Sequence, residues 1–176
     1  MASGKASGGE LEEKIDLSIE TSSIISNSQS LVKDSSNNLS QALALLASVE
    51  KKARVGNDTP SLVKICQTSL ELCISVKNYE ILKDTLLMLT SRRSQKLKAI
   101  ECCVNQVMPL VCEGYAPVDT LEKQVRDDLL VTLRDITDGK IFLEAQRARL
   151  TRALAVIKVR TRDRRALASL VDLACN

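Results

Sequence analysis

The residues best suited to chemistry are three arginines in the segment 139–158, and their chemistry is the recognition of acidic groups. Arg147, Arg149 and Arg152 could contact carboxylates on a partner surface. The simpler interpretation is a solvated helix face with local pairs such as Glu144 with Arg147. Both interpretations describe surface contacts rather than catalysis.

The same segment predicts the helix that carries these arginines. Gly139 stops the preceding helix, and an apolar stripe at helical spacing follows it. That stripe consists of Leu143, Leu150, Leu154 and Ile157. We expect this helix to dock through its apolar side and to end near Val159. A separate short amphipathic piece is then predicted over 162–175.

Six cysteines and the absence of histidine limit catalytic and metal chemistry. Cys66 and Cys73 would lie about 10 Å apart along one helix, beyond the roughly 7 Å that a disulfide spans. Cys102 and Cys103 are adjacent and point to different helix faces. We therefore expect reduced, mostly buried thiols. Without a histidine base, a C-x-x-C motif or a phosphate-binding glycine loop, we expect no enzyme, no cofactor and no metal site.

Nucleic-acid binding is an alternative because residues 147–165 are basic. This stretch holds eight arginine and lysine residues against one acid, Asp163, for a local charge of +7. Phosphate contacts could follow. The stretch contains no aromatic residue on which a base could stack, so we regard nucleic acid as a minor alternative.

Composition favours an all-α protein. Hydrophobic residues make up 44% of the chain and aromatic residues 2%, so the core must be aliphatic and rich in helix formers. The net charge is only +3, and no apolar run approaches the ~20 residues of a membrane span. The first residues show no signal peptide. We expect an intracellular protein that binds neither a membrane nor a small-molecule substrate.

Periodic apolar residues predict consecutive helices separated by short turns. A weak helix, broken by serine and asparagine, begins near Leu11. Stronger helices are predicted over 39–55, 59–76, 79–90, 97–111, 121–136 and 139–159. Thr59 is the expected N-cap of its helix, and Pro109 predicts an end or a kink near Met108. Lys77-Asn78 is read as a turn and residues 113–117 as a loop.

Each helix can bury its stripe only on its neighbours. We therefore predict antiparallel helix pairs stacked as a right-handed α-solenoid, similar to tetratricopeptide repeats. A compact bundle is the competing arrangement, because periodicity alone does not decide between them.

Two segments carry a family resemblance. Residues 86–99, LLMLTSRRSQKLKA, and residues 139–158, GKIFLEAQRARLTRALAVIK, are similar to stretches of the PCI-domain subunits of the proteasome regulatory-particle lid. The resemblance runs from about Leu43 to Lys158. Members of that family have an N-terminal helical solenoid followed by a PCI domain with a winged helix. The chain resembles the first part of the solenoid only.

The resemblance implies a non-catalytic scaffold subunit, present in cytoplasm and nucleus, whose partners are other lid subunits. Composition predicts a disordered leader over 1–9. We expect a helical-repeat domain over 10–158 and, as departures from the family, a diverged basic tail over 159–176 and no PCI domain. A fragment and a natural short form both remain open. Related PCI assemblies, the COP9 signalosome and the translation-initiation complex, are alternatives.

Eight residues of the two motifs are candidate interaction residues: Arg92, Arg93, Gln95, Lys140, Glu144, Arg147, Arg149 and Arg152. For Arg92 and Arg93, capping of the carbonyl groups at the end of the preceding helix is an equally good interpretation.

Overall fold

The computed structural model describes residues 16–174, and it describes their side chains apart from residue 36 and residues 163–174. Within this range the chain forms seven α-helices and one minimal hairpin, which confirms the all-α prediction. The helices are α1 Ser18–Asp34, α2 Leu39–Val55, α3 Thr59–Ser75, α4 Tyr79–Ser91, α5 Leu97–Val107, α6 Lys123–Thr137 and α7 Glu144–Ala174. The predicted leader over 1–9 lies outside the described residues.

Side-chain caps begin two of these helices. Thr59 was expected to cap α3, and this prediction is wrong: Thr59 is the first helical residue and Asp58 is the cap. The Asp58 carboxylate accepts the Ser61 N–H at 3.2 Å and also the Leu17 N–H at 2.9 Å, so it ties α3 to the start of α1. Asn78 caps α4 in the same way, which confirms the predicted turn there.

Pro109 ends α5 as predicted. The helix stops at Val107, and one turn of 3₁₀ helix follows over Met108–Leu110. The expected loop at 113–117 is instead a hairpin of strands β1 Cys112–Glu113 and β2 Ala116–Pro117. Gly114, with a φ of +59°, supplies the left-handed residue that such a tight connection favours.

The first helix is continuous where the sequence predicted a break. Three of its serine hydroxyl groups find partners inside the helix, where Ser22, Ser26 and Ser30 donate to carbonyl groups one turn earlier at 2.8–3.0 Å.

The last helix is also continuous, so the separate piece predicted at 162–175 is wrong. Helix α7 runs for 31 residues through the expected stop near Val159. No glycine or proline interrupts its sequence, which explains why nothing ends it there.

Helices pack mainly on neighbours one or two places along the chain. Helix α3 contacts α1, α2, α4 and α5, while α4 contacts α6, α6 contacts α7 and the hairpin contacts α7. This pattern is consistent with stacked helix pairs, and the right-handed, tetratricopeptide-like arrangement stays a prediction. Among the described helices none has both the length and the apolar character needed to cross a membrane.

Candidate interaction surfaces at the two motif turns

The first motif forms the turn between α4 and α5, residues 92–96, and this turn is built around a buried carboxylate. Glu50 of α2 is 1% exposed. Its carboxylate accepts the Arg54 Nε–H at 2.9 Å and lies 3.7 Å from Arg92 Nε. Gln95 Nε2 approaches the same carboxylate at 3.5 Å. A buried charge is tolerated when ionic and hydrogen-bonding partners surround it. Here Arg54 of α2 supplies the hydrogen bond to one carboxylate oxygen, and the motif adds the ion pair with Arg92 and the approach of Gln95.

The end of α4 is capped by Gln95 rather than by the arginines. Gln95 Nε2 donates to the Leu89 carbonyl at 2.7 Å. The Arg92 guanidinium instead lies beside Glu50, with one nitrogen 3.2 Å from the Met88 sulfur. The main-chain carbonyl of Arg93 accepts the Arg54 guanidinium at 2.7 Å. The turn is therefore fastened to α2 from several sides.

The second motif forms the turn between α6 and α7, residues 138–143, and its anchor is apolar. Gly139 has a φ of +65°, and a turn of 3₁₀ helix over Ile141–Leu143 leads into α7. Leu143 is fully buried, while Ile141 is 88% exposed. The Lys140 ammonium donates to the Ile136 carbonyl at the end of α6.

Arg147 pairs with Asp138 rather than with Glu144. The Arg147 guanidinium donates to the Asp138 carboxylate across the turn, and this hydrogen bond lowers the pKa of Asp138. Glu144 is exposed at the start of α7. The local pair expected from the sequence is therefore replaced by a contact that closes the turn.

The apolar stripe of α7 faces the core as predicted. Leu150 and Leu143 are fully buried, Ile157 is 8% exposed and Leu154 is partly buried against the core. On the outer side Arg149 is exposed, and the Arg152 guanidinium carbon lies 5.3 Å from the centre of the Tyr115 ring in the hairpin. This cation–π contact holds the hairpin beside α7.

The structure thus places the eight candidate residues in two groups, and Arg93 belongs to both. Five have polar contacts within the chain through their side chains, or through the main chain in the case of Arg93: Arg92, Arg93, Gln95, Lys140 and Arg147. Arg93, Glu144, Arg149 and Arg152 have exposed side chains that a partner could reach. Their interaction role stays a prediction.

Sequence reasoning missed Glu50 and Arg126. Arg126 is 6% exposed and pairs with Asp119 and, at 2.8 Å, with Asp127, so it ties α6 to the segment that precedes it. A signal existed for Glu50, because it lies one turn after Leu46 on the apolar side of α2. No comparable pattern marks Arg126.

Burial makes four cysteines of the described residues poor nucleophiles. Cys66, Cys73, Cys103 and Cys112 are buried. Burial raises the pKa of Cys73 and of Cys112, and a hydrogen bond with Cys66 together with burial raises the pKa of Cys103. In the described part of the chain, no three acidic or cysteine side chains are grouped so that they could hold a metal ion.

These features define a class: an all-α protein whose distinctive polar residues fasten helices to one another. Comparison with known proteins identifies the family. The family described as PSMD12/CSN4, N-terminal, matches residues 41–174, and the chain belongs to this family. The match includes residues 159–174, beyond the point where the two motifs suggested divergence.

Several relatives are proteasome subunits. The 26S proteasome non-ATPase regulatory subunit 12 of Dictyostelium discoideum is 37% identical over 123 residues, which cover 70% of this chain and 26% of the relative. Homolog B of that subunit in Arabidopsis thaliana is 31% identical over 71% of this chain and 27% of its own length. RPN5 of Saccharomyces cerevisiae is 30% identical over 69% and 26%. The resemblance seen in the motifs is confirmed, and the chain spans about a quarter of the length of these relatives.

Proposed function

We propose that the chain is a non-catalytic scaffold subunit of the proteasome regulatory-particle lid and supports ubiquitin-dependent protein degradation through protein–protein contacts. The observation that carries this proposal is the family match over residues 41–174, joined by relatives named as proteasome regulatory subunits. Other lid subunits are the proposed partners, in the cytoplasm and the nucleus.

The surface of the helix stack offers apolar contact area for such partners. Leu87 and Met88 of α4 are 40% and 41% exposed, and Val131 of the adjoining α6 is 45% exposed. Apolar side chains that the chain's own core does not cover are a common component of subunit interfaces. This supports a role in which α4 and α6 face a neighbouring subunit.

Affinity isolation of the tagged chain from cells, followed by mass spectrometry, tests the proposal. We expect lid subunits to be enriched with the wild-type chain and depleted with the double variant Leu87→Asp/Val131→Asp. Val55→Asp is the matched control, because Val55 is 72% exposed on a different helix, α2. Isolation of the wild-type chain without any lid subunit would contradict the proposal.

The same experiment separates the alternatives. The family description joins PSMD12 with CSN4, so recovery of COP9 signalosome subunits in place of lid subunits would assign the chain to that assembly. Translation-initiation subunits would point to the third PCI complex.

Nucleic-acid or acidic-surface binding through residues 147–165 is tested by titration with duplex DNA and RNA across a salt series. Arg147 is already paired with Asp138, which reduces the free charge available to phosphates. We expect weak binding. Tight binding with a steep salt dependence would favour this alternative.

A further inference from the structure

A groove runs between α3 and α5, beside the last residue of the first motif turn, Lys96. Its volume is about 720 Å³, and it lies where both helices begin. Its lining consists of Thr59, Pro60, Val63, Lys64, Gln67, Lys96, Leu97 and Lys98. A second cleft of about 460 Å³ shares Val63, Gln67 and Lys98 and extends it toward the middle of α5. We call the two together the α3–α5 groove.

The groove has an apolar floor that the core leaves open. Val63 is partly buried against the core. Leu97 is the first residue of α5 and is 61% exposed, whereas Ile100 is 7% exposed one turn later. The core covers the apolar residues of α5 only from Ala99 onward, so Leu97 contributes apolar surface to the groove.

The rim of the groove is basic. Lys64, Lys96 and Lys98 lie around the apolar floor, and no ion pair joins any of them to a carboxylate of the described residues. The Lys96 ammonium donates to the neutral side chain of Asn57, which leaves its charge uncompensated.

The nearest acids are already engaged or lie farther along the groove. The Asp58 carboxylate, close to Lys64, accepts the Leu17 and Ser61 N–H groups. Glu101 lines only the second cleft. The positive ends of the α3 and α5 helix dipoles add to the lysine charge. The groove therefore combines an exposed apolar floor with excess positive charge.

We propose that the α3–α5 groove binds an acidic amphipathic segment of a partner protein, with its apolar side chains on Val63 and Leu97 and its carboxylates facing Lys64, Lys96 and Lys98. A helix with one apolar side fits a groove between two helices in this manner. The inference deepens the proposed function and rests on it for the source of the partner, since a scaffold subunit holds other proteins through such surfaces.

Two synthetic peptides test the groove with the full chain. One is a helix with leucine at every third or fourth position and glutamate elsewhere, and the other has lysine in place of every glutamate. We expect the glutamate peptide to bind, as measured by fluorescence anisotropy, and the lysine peptide not to bind. Binding should weaken as salt is raised, because Lys64 and Lys98 of the rim are exposed.

Substitutions locate the binding. Lys64→Glu and Lys98→Glu should each lower the affinity for the glutamate peptide by about fivefold, and Leu97→Ala should lower it by a similar factor. Lys51→Glu, at an exposed position of α2, is the matched control and should leave the affinity unchanged. Circular dichroism of each variant verifies that the helices remain intact. Equal binding of both peptides, or binding that Lys64→Glu and Lys98→Glu leave unchanged, would overturn the proposal.

Other occupants give different results. The sequence Glu-Leu-Glu-Glu-Lys-Ile at 10–15 is itself acidic and apolar, so reversal of its three glutamates to lysine would strengthen peptide binding if this segment competed for the groove. That result would show that residues 10–15 of the chain occupy the groove. A dimer in sedimentation that Lys98→Glu dissociates would show that a second copy occupies it. Either result would overturn the proposal that a partner protein binds there. Peptide binding without recovery of lid subunits rejects the proposed function alone, whereas recovery without peptide binding rejects the groove alone.

Discussion

The two motif turns are both held against the rest of the protein, but by different physical interactions. The turn at 92–96 is held by polar contacts to a buried carboxylate, Glu50, whereas the turn at 138–143 is held by a buried side chain, Leu143, with its ion pair left at the surface. Both turns also contain a residue with a left-handed backbone, Ser94 with a φ of 61° in the first and Gly139 with a φ of 65° in the second. Charged residues of a motif can therefore form ion pairs either with a buried carboxylate or at the surface, and the burial of the partner distinguishes the two cases.

The largest effect is expected at the apolar anchor of the second turn. Leu143→Ala should lower the free energy of unfolding by about 3 kcal/mol, because it removes a fully buried side chain and leaves a cavity. Urea denaturation followed by circular dichroism measures this. Ile141→Ala, two residues away and 88% exposed, is the control and should change stability little. Equal effects of the two substitutions would show that the turn is not anchored through Leu143.

A somewhat smaller loss is expected at the polar anchor of the first turn. Glu50→Gln should lower the free energy of unfolding by about 2 kcal/mol, because the buried position loses the charge that pairs with Arg54 and Arg92. The loss should persist at high salt, since the carboxylate is shielded from solvent. Glu101→Gln, at an exposed position of α5, is the control. A Glu50→Gln variant as stable as the wild type would remove the distinction between the two turns.

The left-handed residues of the two turns give a pair of substitutions that should change the free energy of unfolding in opposite directions. Gly139→Ala should destabilise the chain by about 1 kcal/mol, because alanine resists a positive φ. No neighbouring atom would obstruct the added methyl group, so the effect reports conformation rather than a clash. Ser94→Gly should stabilise the first turn by about 0.5 kcal/mol for the same reason. Thermal melts of both variants measure the difference, and changes of the same sign would contradict this account.

The smallest effect is expected at the surface ion pair of the second turn. The hydrogen bond from Arg147 lowers the pKa of Asp138 from its ordinary value of 3.8, so the folded state favours the ionised carboxylate. The resulting stability is present above pH 3.8 and is lost as the pH falls through the lower folded value.

Titration of the Asp138 carboxyl carbon by NMR checks this prediction. Arg147→Gln should return the Asp138 pKa toward its ordinary value, whereas Arg134→Gln should move it less, because Arg134 is the weaker influence. High salt should reduce the shift. A titration that Arg147→Gln leaves unchanged would exclude the ion pair in solution.

Local signals in the sequence predicted the second turn better than the first. Short-range rules of helix formation predicted the helix stop at Gly139 and the buried stripe from Leu143 to Ile157, and the structure confirms both. The same rules predicted the end of α5 near Pro109. Such rules depend only on residues within a few turns of one another.

The first turn depends on contacts that local rules do not contain. Arg54 lies one turn from Glu50, so that pair was open to inference from the sequence. Arg92 and Gln95 reach the same carboxylate from more than 40 positions away, and only the tertiary fold brings the turn after α4 to α2. The exposure of Leu97 was not predicted for a related reason. The spacing of apolar residues along a helix does not show which of them the core covers.

The length of α7 has a mechanical consequence. Thirty-one residues form a rod of about 46 Å, which is longer than the diameter of a small domain. Helix α6 and the hairpin pack against this rod, and Ile157 is the last buried side chain among those described. Because the helix has no break, a tilt imposed on its packed first turns also displaces the turns beyond Ile157.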